Sequence, residues 1–532
     1  MYRLSILQSP STSTRTNSAT GERVETANPI TDRSHMSETT RRTFLKTTAL
    51  AGTAATLIPD LLQAQTSTPN VVLITVDDMN YDAITWLGGD YKGLTPNIDR
   101  LASQGMRFTQ AYNTHSRCGP SRGSMMTGLF QDRYSNEPGL KSTVLRKGLT
   151  PLPAYLKQEH GYRTACLGKE THYNPRKRYD WDVIHPMADM GVGRHPDLYH
   201  AAADAFVSEA KRDGVPFFLS ANTHDPHRPF AGSIDEEKSL RRRFAKETEK
   251  RTDNPTFHLP PQVDRYGPDD VTVPSFMPDL PDIREEISWY LNSASRADTF
   301  VGRILEVLDD HELAEDTLVI FLSDNGMHFP FAKSNCYMTS VRTPLIFRWP
   351  GRIKPNTSSD SLVSSVDLMP TILAAVGADA PHEMDGHELG DLFESPDSEV
   401  RNYAFASING KGKSRFEMRA LIGKQYHYIY NHFSDGKNQF YDGRYGGGRS
   451  LKAMERLAKT DPDMQKRIDF MYYRTKEELY DLEKDPHALN NLVDDANSLA
   501  ALETMRKQMD STLADLNDPY GSAYHEYVEG MD

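Results

Sequence analysis

The sequence has no surplus of positive charge and no long apolar run after its first 70 residues. Its 532 residues carry a formal net charge of −13, so it lacks the basic excess with which general nucleic-acid binders neutralise phosphates. No run of about 20 apolar residues follows position 70, which predicts a globular chain. An anionic ligand would need Lys, Arg and His concentrated locally against this overall negative charge.

Cysteine is also scarce. The three cysteines are Cys118, Cys166 and Cys336, and their odd number and spacing fit neither a disulfide framework nor a zinc site. If Cys118 is consumed chemically, two cysteines remain. They are either small buried residues or partners in one bridge.

The N-terminal region is typical of an export signal. Residues 1–35 are rich in Ser, Thr and Arg and are expected to be disordered or a mis-annotated extension, with Met36 as the true start. Residues 36–65 place Arg41 and Arg42 before a mildly apolar stretch, the pattern of a twin-arginine signal peptide. An amphipathic helix is the alternative, but no polar face recurs at helical spacing. We therefore expect export by the twin-arginine translocase and a periplasmic or secreted protein.

Three apolar runs predict buried strands, at 70–76, 216–221 and 317–323. Each run is followed directly by polar residues that can take part in chemistry, and residues 94–107 predict a helix between the first two runs. Strands that alternate with helices and end in functional residues indicate an α/β sheet with its site at the carboxyl edge.

The remaining segments suggest a second, smaller domain. Residues 232–282 are charged and rich in Pro, which predicts a long excursion over the active face. Residues 418–430 predict an antiparallel hairpin and 498–516 an amphipathic helix. We therefore expect a catalytic domain at 66–395 and a C-terminal α+β domain at 396–532.

The segment from Cys118 to Gly128 contains a candidate nucleophile. Pro120 suits the first turn of a helix, so Cys118 is expected at the amino end, where free N–H groups favour an anion. The alternative is an ordinary buried cysteine before a helix that begins with proline.

Two acidic pairs indicate a metal site. Asp77 and Asp78 follow the first predicted strand, and Asp324 and Asn325 follow a later one. Such an oxygen-only set suits calcium or magnesium and not zinc, although adjacent acids are often only a solvated loop. Their positions at the ends of two apolar strands favour the metal.

Several motifs together resemble the type I sulfatases, and most closely the sulfamidase branch. The motifs are Cys-x-Pro-Ser-Arg at 118–122, Gly161–Lys169, His-Asp-Pro-His-Arg at 224–228, Tyr266–Pro278, Ser323–Pro330 and Tyr472–His487. The resemblance covers roughly residues 70–495. It implies an alkaline-phosphatase-like α/β fold: a mixed sheet sandwiched by helices, with a smaller C-terminal antiparallel-sheet domain. A homodimer is compatible with it.

The resemblance also implies roles for individual residues. A formylglycine-generating enzyme would convert Cys118 to formylglycine (3-oxoalanine), and one calcium ion would be held by Asp77, Asp78, Cys118, Asp324 and Asn325. The implied catalytic residues are Arg122, Lys169 and Lys333 as sulfate-binding cations, His224 as general acid and His172 as the proton acceptor of the release step. His172 stands one residue out of register, in Lys169-Glu170-Thr171-His172. His227 and Arg228 are implied substrate contacts.

The implied activity is hydrolysis of N- or O-linked sulfate from a sulfated carbohydrate. N-sulfoglucosamine is the leading candidate for the sugar. The alternatives are an O-sulfatase acting on algal polysaccharide, a phosphodiesterase or phosphonate hydrolase of the same fold, and an inactive glycan-binding homologue.

Overall fold

A mixed eight-stranded sheet forms the centre of the computed structural model, which describes residues 68–137, 139, 143–410, 416–440 and 448–531. The expectations for 1–67, including the export signal, lie outside the described residues. The strands of the described chain are β1 Asn70–Asp77, β2 Met106–Phe108, β3 Ala111–Tyr112, β4 Arg163–Leu167, β5 Val183–His185, β6 Phe217–Pro226, β7 Thr317–Ser323, β8 Leu345–Arg348, β9 Thr357–Ser359, β10 Val363–Ser364, β11 Ala404–Ile408, β12 Met418–Ile422, β13 Tyr426–Asn431 and β14 Glu477–Asp481.

Helices connect most of these strands. The α-helices are α1 Pro96–Ser103, α2 Cys118–Thr127, α3 Gln131–Tyr134, α4 Leu152–His160, α5 Arg176–Tyr179, α6 Pro196–Asp213, α7 Glu236–Thr248, α8 Pro281–Asp310, α9 Met338–Val341, α10 Leu368–Ala375, α11 Gly390–Glu394, α12 Arg449–Ala458, α13 Pro462–Tyr473, α14 Leu499–Asp515 and α15 Gly521–Glu529. Within the described residues, no helix is both long and apolar enough to span a membrane.

The large sheet is parallel at its centre and mixed at one side. Its strand order is β5-β4-β6-β1-β7-β8-β2-β9. The first five strands run parallel, β8 is antiparallel to β7 and β2, and β9 is parallel to β2. The carboxyl ends of β6, β1 and β7 therefore meet at one edge.

Both faces of the large sheet are covered, as the side chains of β1 show. Val72 and Ile74 point into a core that contains residues of α6 and α8, whereas Val71 and Leu73 point into a core with residues of α2 and α10. Alternate side chains on one strand thus enter two cores, which explains its continuous apolar run. The predicted mixed sheet between layers of helices is confirmed.

A four-stranded antiparallel sheet, β11-β12-β13-β14, follows in the chain. The predicted hairpin at 418–430 is β12 and β13, and the predicted helix at 498–516 is α14. Residues Thr66–Asp532 form one compact unit, so the boundary at 395/396 stays a prediction. All three cysteines are buried and free, so Cys166 and Cys336 do not form a bridge.

A buried charge network ties the end of β6 to helices outside the sheet. Asp225 contacts Arg194 and lies 2.6 Å from the Nε atom of Arg296 on α8. Arg296 also binds Glu236, the first residue of α7, at 2.8 Å. All four side chains are almost fully buried. The network fixes both the residue after His224 and the start of α7.

We expect Asp225→Ala to lower the free energy of unfolding by about 3–5 kcal/mol, because it leaves Arg194 and Arg296 buried without their shared carboxylate. Denaturant-induced unfolding measures this change. The control is Glu237→Ala, which removes an exposed acid of α7 and should change stability by less than about 0.5 kcal/mol. Equal stability of Asp225→Ala and the unaltered protein would contradict the assigned network.

Candidate active site

The acidic residues meet because β1 and β7 are neighbouring parallel strands. Val76 pairs with Ser323 in register, and the N–H of Asp324 donates to the Val76 carbonyl at 3.1 Å. Asp77, Asp78, Asp324 and Asn325 are all fully buried. Gly326 follows directly, and a Cβ there would lie 1.8 Å from the Thr339 carbonyl oxygen, so only glycine allows this approach.

Several oxygen atoms of this cluster have no donor. Asp77 Oδ1, Asp78 Oδ2 and Asn325 Oδ1 are buried and accept no hydrogen bond from any residue that the structure describes. Burying such atoms without a partner is costly, and a cation would satisfy them together. Ligand atoms of Asp77, Cys118 and Asp324 lie within 4.8 Å of one another. These donors are mostly oxygens and fit a hard divalent cation, and two further groups combine Asp77 or Asp78 with two histidines each.

Cys118 is the first residue of α2, as its position before Pro120 predicts. Its Sγ atom is buried and lies 3.4 Å from Lys333 Nζ. Burial raises the pKa of the Cys118 thiol, and the Lys333 ammonium only partly opposes this rise. An unmodified cysteine here is therefore mainly the thiol, which is a weak nucleophile.

Two lysines each contact one acid of the cluster. Lys169 contacts Asp77, and its Nζ atom lies 2.5 Å from His224 Nδ1. Lys333 contacts Asp78. Lys169 has a φ of 55° and follows Gly168 at 69°, a tight turn that directs the lysine into the site.

Arg122 is buried against Asp324 of the acidic cluster. Its Nε atom donates to Asp324 at 2.9 Å and one terminal nitrogen to Asn222 at 2.7 Å, and its side chain is fully buried. The resemblance implies that Arg122 stabilises the sulfuryl group, but in this geometry its direct partner is Asp324. It acts on the site by holding that carboxylate.

Three histidines line the candidate site. His224 and His227 stack with ring centroids 4.4 Å apart, and His224 Nδ1 lies 2.7 Å from Asp77 Oδ2. Burial lowers the pKa of His224 well below its usual value, and the nearby Arg243 and Lys169 lower it further. The Glu170–His172 segment forms one short 3-10 turn that accommodates the extra residue, and His172 still reaches the cavity.

Arg228 turns away from this cavity. Its Nε atom donates to the His328 carbonyl at 3.2 Å, it contacts Glu286, and its guanidinium lies 4.5 Å from the Phe230 ring centroid. Those contacts fix the loop after β6. His227, by contrast, lines the cavity, and its role as a substrate contact stays a prediction.

The cavity itself has a volume of about 320 Å³. The described residues that line it include no Asp or Glu: Arg117, Cys118, Gly119, Thr143, Lys169, Thr171, His172, His224, His227 and Arg243. Such a lining favours an anionic ligand of modest size.

Sequence reasoning did not identify two of the side chains near this cluster. His328 Nδ1 lies 3.8 Å from Asp78 Oδ2, and its place between Ser323 and Pro330, a motif already singled out, was the available signal. Arg243 contacts His224 Nε2 from α7. It lies in the charged excursion at 232–282, which carries no local signal for a site residue.

Comparison with known proteins identifies the family. The sulfatase family model matches residues 69–378. The chain belongs to the sulfatase family. A second model, described as N-sulphoglucosamine sulphohydrolase, C-terminal, matches residues 326–443 of this sulfatase. Members of the sulfatase family hydrolyse sulfuric esters and sulfamates.

Individual relatives agree with this assignment. Human N-sulphoglucosamine sulphohydrolase is 29% identical over 478 residues, covering 85% of this sulfatase and 91% of the relative. An ulvan-active sulfatase of Formosa agariphila is 26% identical over 450 residues, covering 83% and 79%. A solved structure in complex with its substrate D-glucosamine-2-N,6-O-disulfate is 18% identical, with a TM-score of 0.59 and coverage of 85% and 99%. The alkaline-phosphatase-like fold implied by the sequence is confirmed.

We expect Arg122→Met to destabilise this sulfatase by about 3–5 kcal/mol in the absence of added metal, because Asp324 would lose its buried partner. Chemical unfolding in the presence of a chelator measures the effect. Arg100→Met is the control: its ion pair with Asp309 is exposed on both sides and should contribute less than about 1 kcal/mol. Similar losses for the two variants would contradict the role assigned to Arg122.

Proposed function

We propose that this sulfatase removes sulfate from sulfated glycans by means of a formylglycine at position 118 and one bound calcium ion. The observation that carries the proposal is the position of Cys118. It begins α2, lines the cationic cavity and lies against a buried set of carboxylates with unsatisfied oxygens. A nucleophile and a cation site would thus act on the same anionic group.

Calcium is the cation that the donor chemistry supports. Asp77, Asp78, Asp324 and Asn325 would hold it together with residue 118. When bound, calcium polarises a sulfate oxygen and favours ionisation of a hydroxyl at position 118. Asp324 is kept in place for this role by Arg122, and Asp78 by Lys333 and Asn325.

The modified residue would supply covalent catalysis. As a hydrated aldehyde, residue 118 has two hydroxyls: one forms a bond to sulfur as the bond from sulfur to the sugar oxygen or nitrogen breaks. Loss of a proton from the other reforms the aldehyde and expels sulfate. An unmodified Ser or Cys would instead need water to attack a stable sulfated enzyme.

The other side chains would bind charge and move protons. Lys169, which contacts Asp77, and Lys333, which lies near Cys118, would stabilise the sulfuryl oxygens. His224 Nδ1 faces Asp77, and its Nε2 atom contacts Arg243. His224 would act as general acid for the departing sugar atom through Nε2, once the bound sugar has displaced Arg243. His172 is the candidate acceptor for the hydrate proton in the release step.

N-sulfoglucosamine remains the leading substrate. The C-terminal family match and the human relative support it, while the ulvan-active relative supports an O-sulfate of an algal polysaccharide. We further propose that a formylglycine-generating enzyme modifies Cys118 and that the twin-arginine translocase exports the protein to the periplasm or medium.

We expect Cys118→Ala to abolish sulfate release, whereas Cys166→Ala, a change at another buried cysteine, retains it. Peptide mass spectrometry should show formylglycine at 118 in active protein. The rate of sulfate release from N-sulfoglucosamine is compared with the rate of phosphate release from a matched phosphate ester, and we expect the former to be faster. Near-normal turnover by Cys118→Ala, or faster turnover of the phosphate ester by the unaltered protein, would contradict the proposal.

We expect calcium to raise the thermal midpoint of the chelated protein, because it binds the folded cluster and not the unfolded chain. Asn325→Ala should remove most of this rise, since it deletes one unsatisfied oxygen ligand. The control is Asp189→Asn, which changes an acid paired with Arg251 outside the cluster and should leave the rise intact. A calcium response that Asn325→Ala leaves unchanged would place the ion elsewhere.

A further inference from the structure

Helix α7 places one arginine in the candidate active site. Arg243 lines the cavity, and a terminal nitrogen of its guanidinium contacts His224 Nε2. Its Nε atom donates to Glu247 one turn further along α7, at 2.8 Å. The preceding Arg242 is exposed. The helix thus presents a single cation to the cavity, and Glu247 orients it.

The His224 ring lies between Arg243 and Asp77 of the acidic cluster. Its Nδ1 atom faces Asp77 and Lys169, whereas its Nε2 atom faces Arg243. Lys333 lies 3.4 Å from Cys118 Sγ. If the sulfuryl group is bound beside Cys118 and His224 protonates the departing atom, Arg243 lies beside the sugar and not beside the sulfate that is removed.

The charges around the cavity also distinguish Arg243 from the two lysines. Lys169 and Lys333 are each paired with a fully buried aspartate of the cluster. The acid partner of Arg243 is Glu247, a partly exposed residue of its own helix. A planar guanidinium held in this way can bind a carboxylate or sulfate group through two parallel hydrogen bonds.

We propose that Arg243 is a specificity-determining residue that binds a second anionic group of the glycan, in addition to the sulfate that is released. This inference rests on the proposed function. The second group is either another sulfate ester or the carboxylate of a neighbouring uronate, since a guanidinium recognises both in the same way. The sugar must then displace Arg243 from His224 Nε2, which leaves that nitrogen free to face the departing atom.

Binding to Cys118→Ala protein tests the proposal without turnover. The probes are N-sulfoglucosamine, its N,6-O-disulfate and an N-sulfated disaccharide that carries a uronate. Adding Arg243→Gln should weaken binding of at least one doubly charged probe by about 10- to 100-fold, the value of hydrogen bonds to a charged group, and that of N-sulfoglucosamine by less than about 3-fold. The probe that loses affinity identifies the source of the second charge.

Two further variants separate recognition from general damage. Arg243→Lys keeps the charge but not the planar fork, so an intermediate loss is expected. Arg242→Gln removes an exposed cation from the same helix and should change no affinity. Equal weakening of all three probes by Arg243→Gln, or no weakening of either doubly charged probe, would overturn the proposal.

Turnover by enzyme that retains Cys118, with and without Arg243→Gln, distinguishes this inference from the proposed function. If it releases sulfate from the probes and Arg243→Gln lowers kcat/KM at least about tenfold more for a doubly charged probe than for N-sulfoglucosamine, both are supported. If formylglycine-containing enzyme releases no sulfate from any of them, the proposed function fails. If it releases sulfate but Arg243→Gln affects every probe alike, only the inference about Arg243 fails.

Discussion

The parallel pairing of β1 with β7 brings three carboxylates into one buried volume, where like charges repel strongly and water is not available to screen them. Three buried cations contact these acids: Arg122, Lys169 and Lys333. Each acid therefore has a basic partner before any ion binds. A divalent cation adds two positive charges to this cluster, and an anionic ester offsets them. Metal and substrate should consequently favour each other's binding.

The pairing of β1 with β7 also explains how much of the site the sequence could predict. Asp77 and Asp324 follow apolar strands, so the local pattern was sufficient to place them at one edge of a parallel sheet. The position of Cys118 at the start of a helix could also be predicted, because Pro120 marks the first turn of that helix. These residues are positioned by regular strands and helices, whose patterns can be recognised in the amino-acid sequence.

Other contacts depend on packing between distant parts of the chain. Arg122 was recognised as a functional residue, but nothing local indicated that its guanidinium would bind Asp324 and Asn222. Arg243 reaches His224 because Glu236, at the start of its helix, is bound by Arg296 of α8. A sequence pattern cannot reveal such a position, since three separate segments determine it. The one-residue offset of His172 could be recognised, but not the short turn that accommodates it.

The location of Arg243 has a consequence for how such an enzyme diversifies. The groups expected to act on sulfur belong to the sheet edge and α2, whereas Arg243 belongs to a surface helix in a long, polar excursion. Mutations in that excursion can exchange the cation, reposition it or remove it without disturbing the strands. The preference for one sugar over another can therefore change during evolution while the catalytic groups stay the same. Exchange of α7 between relatives would be the simplest way to redirect the enzyme towards a different polysaccharide.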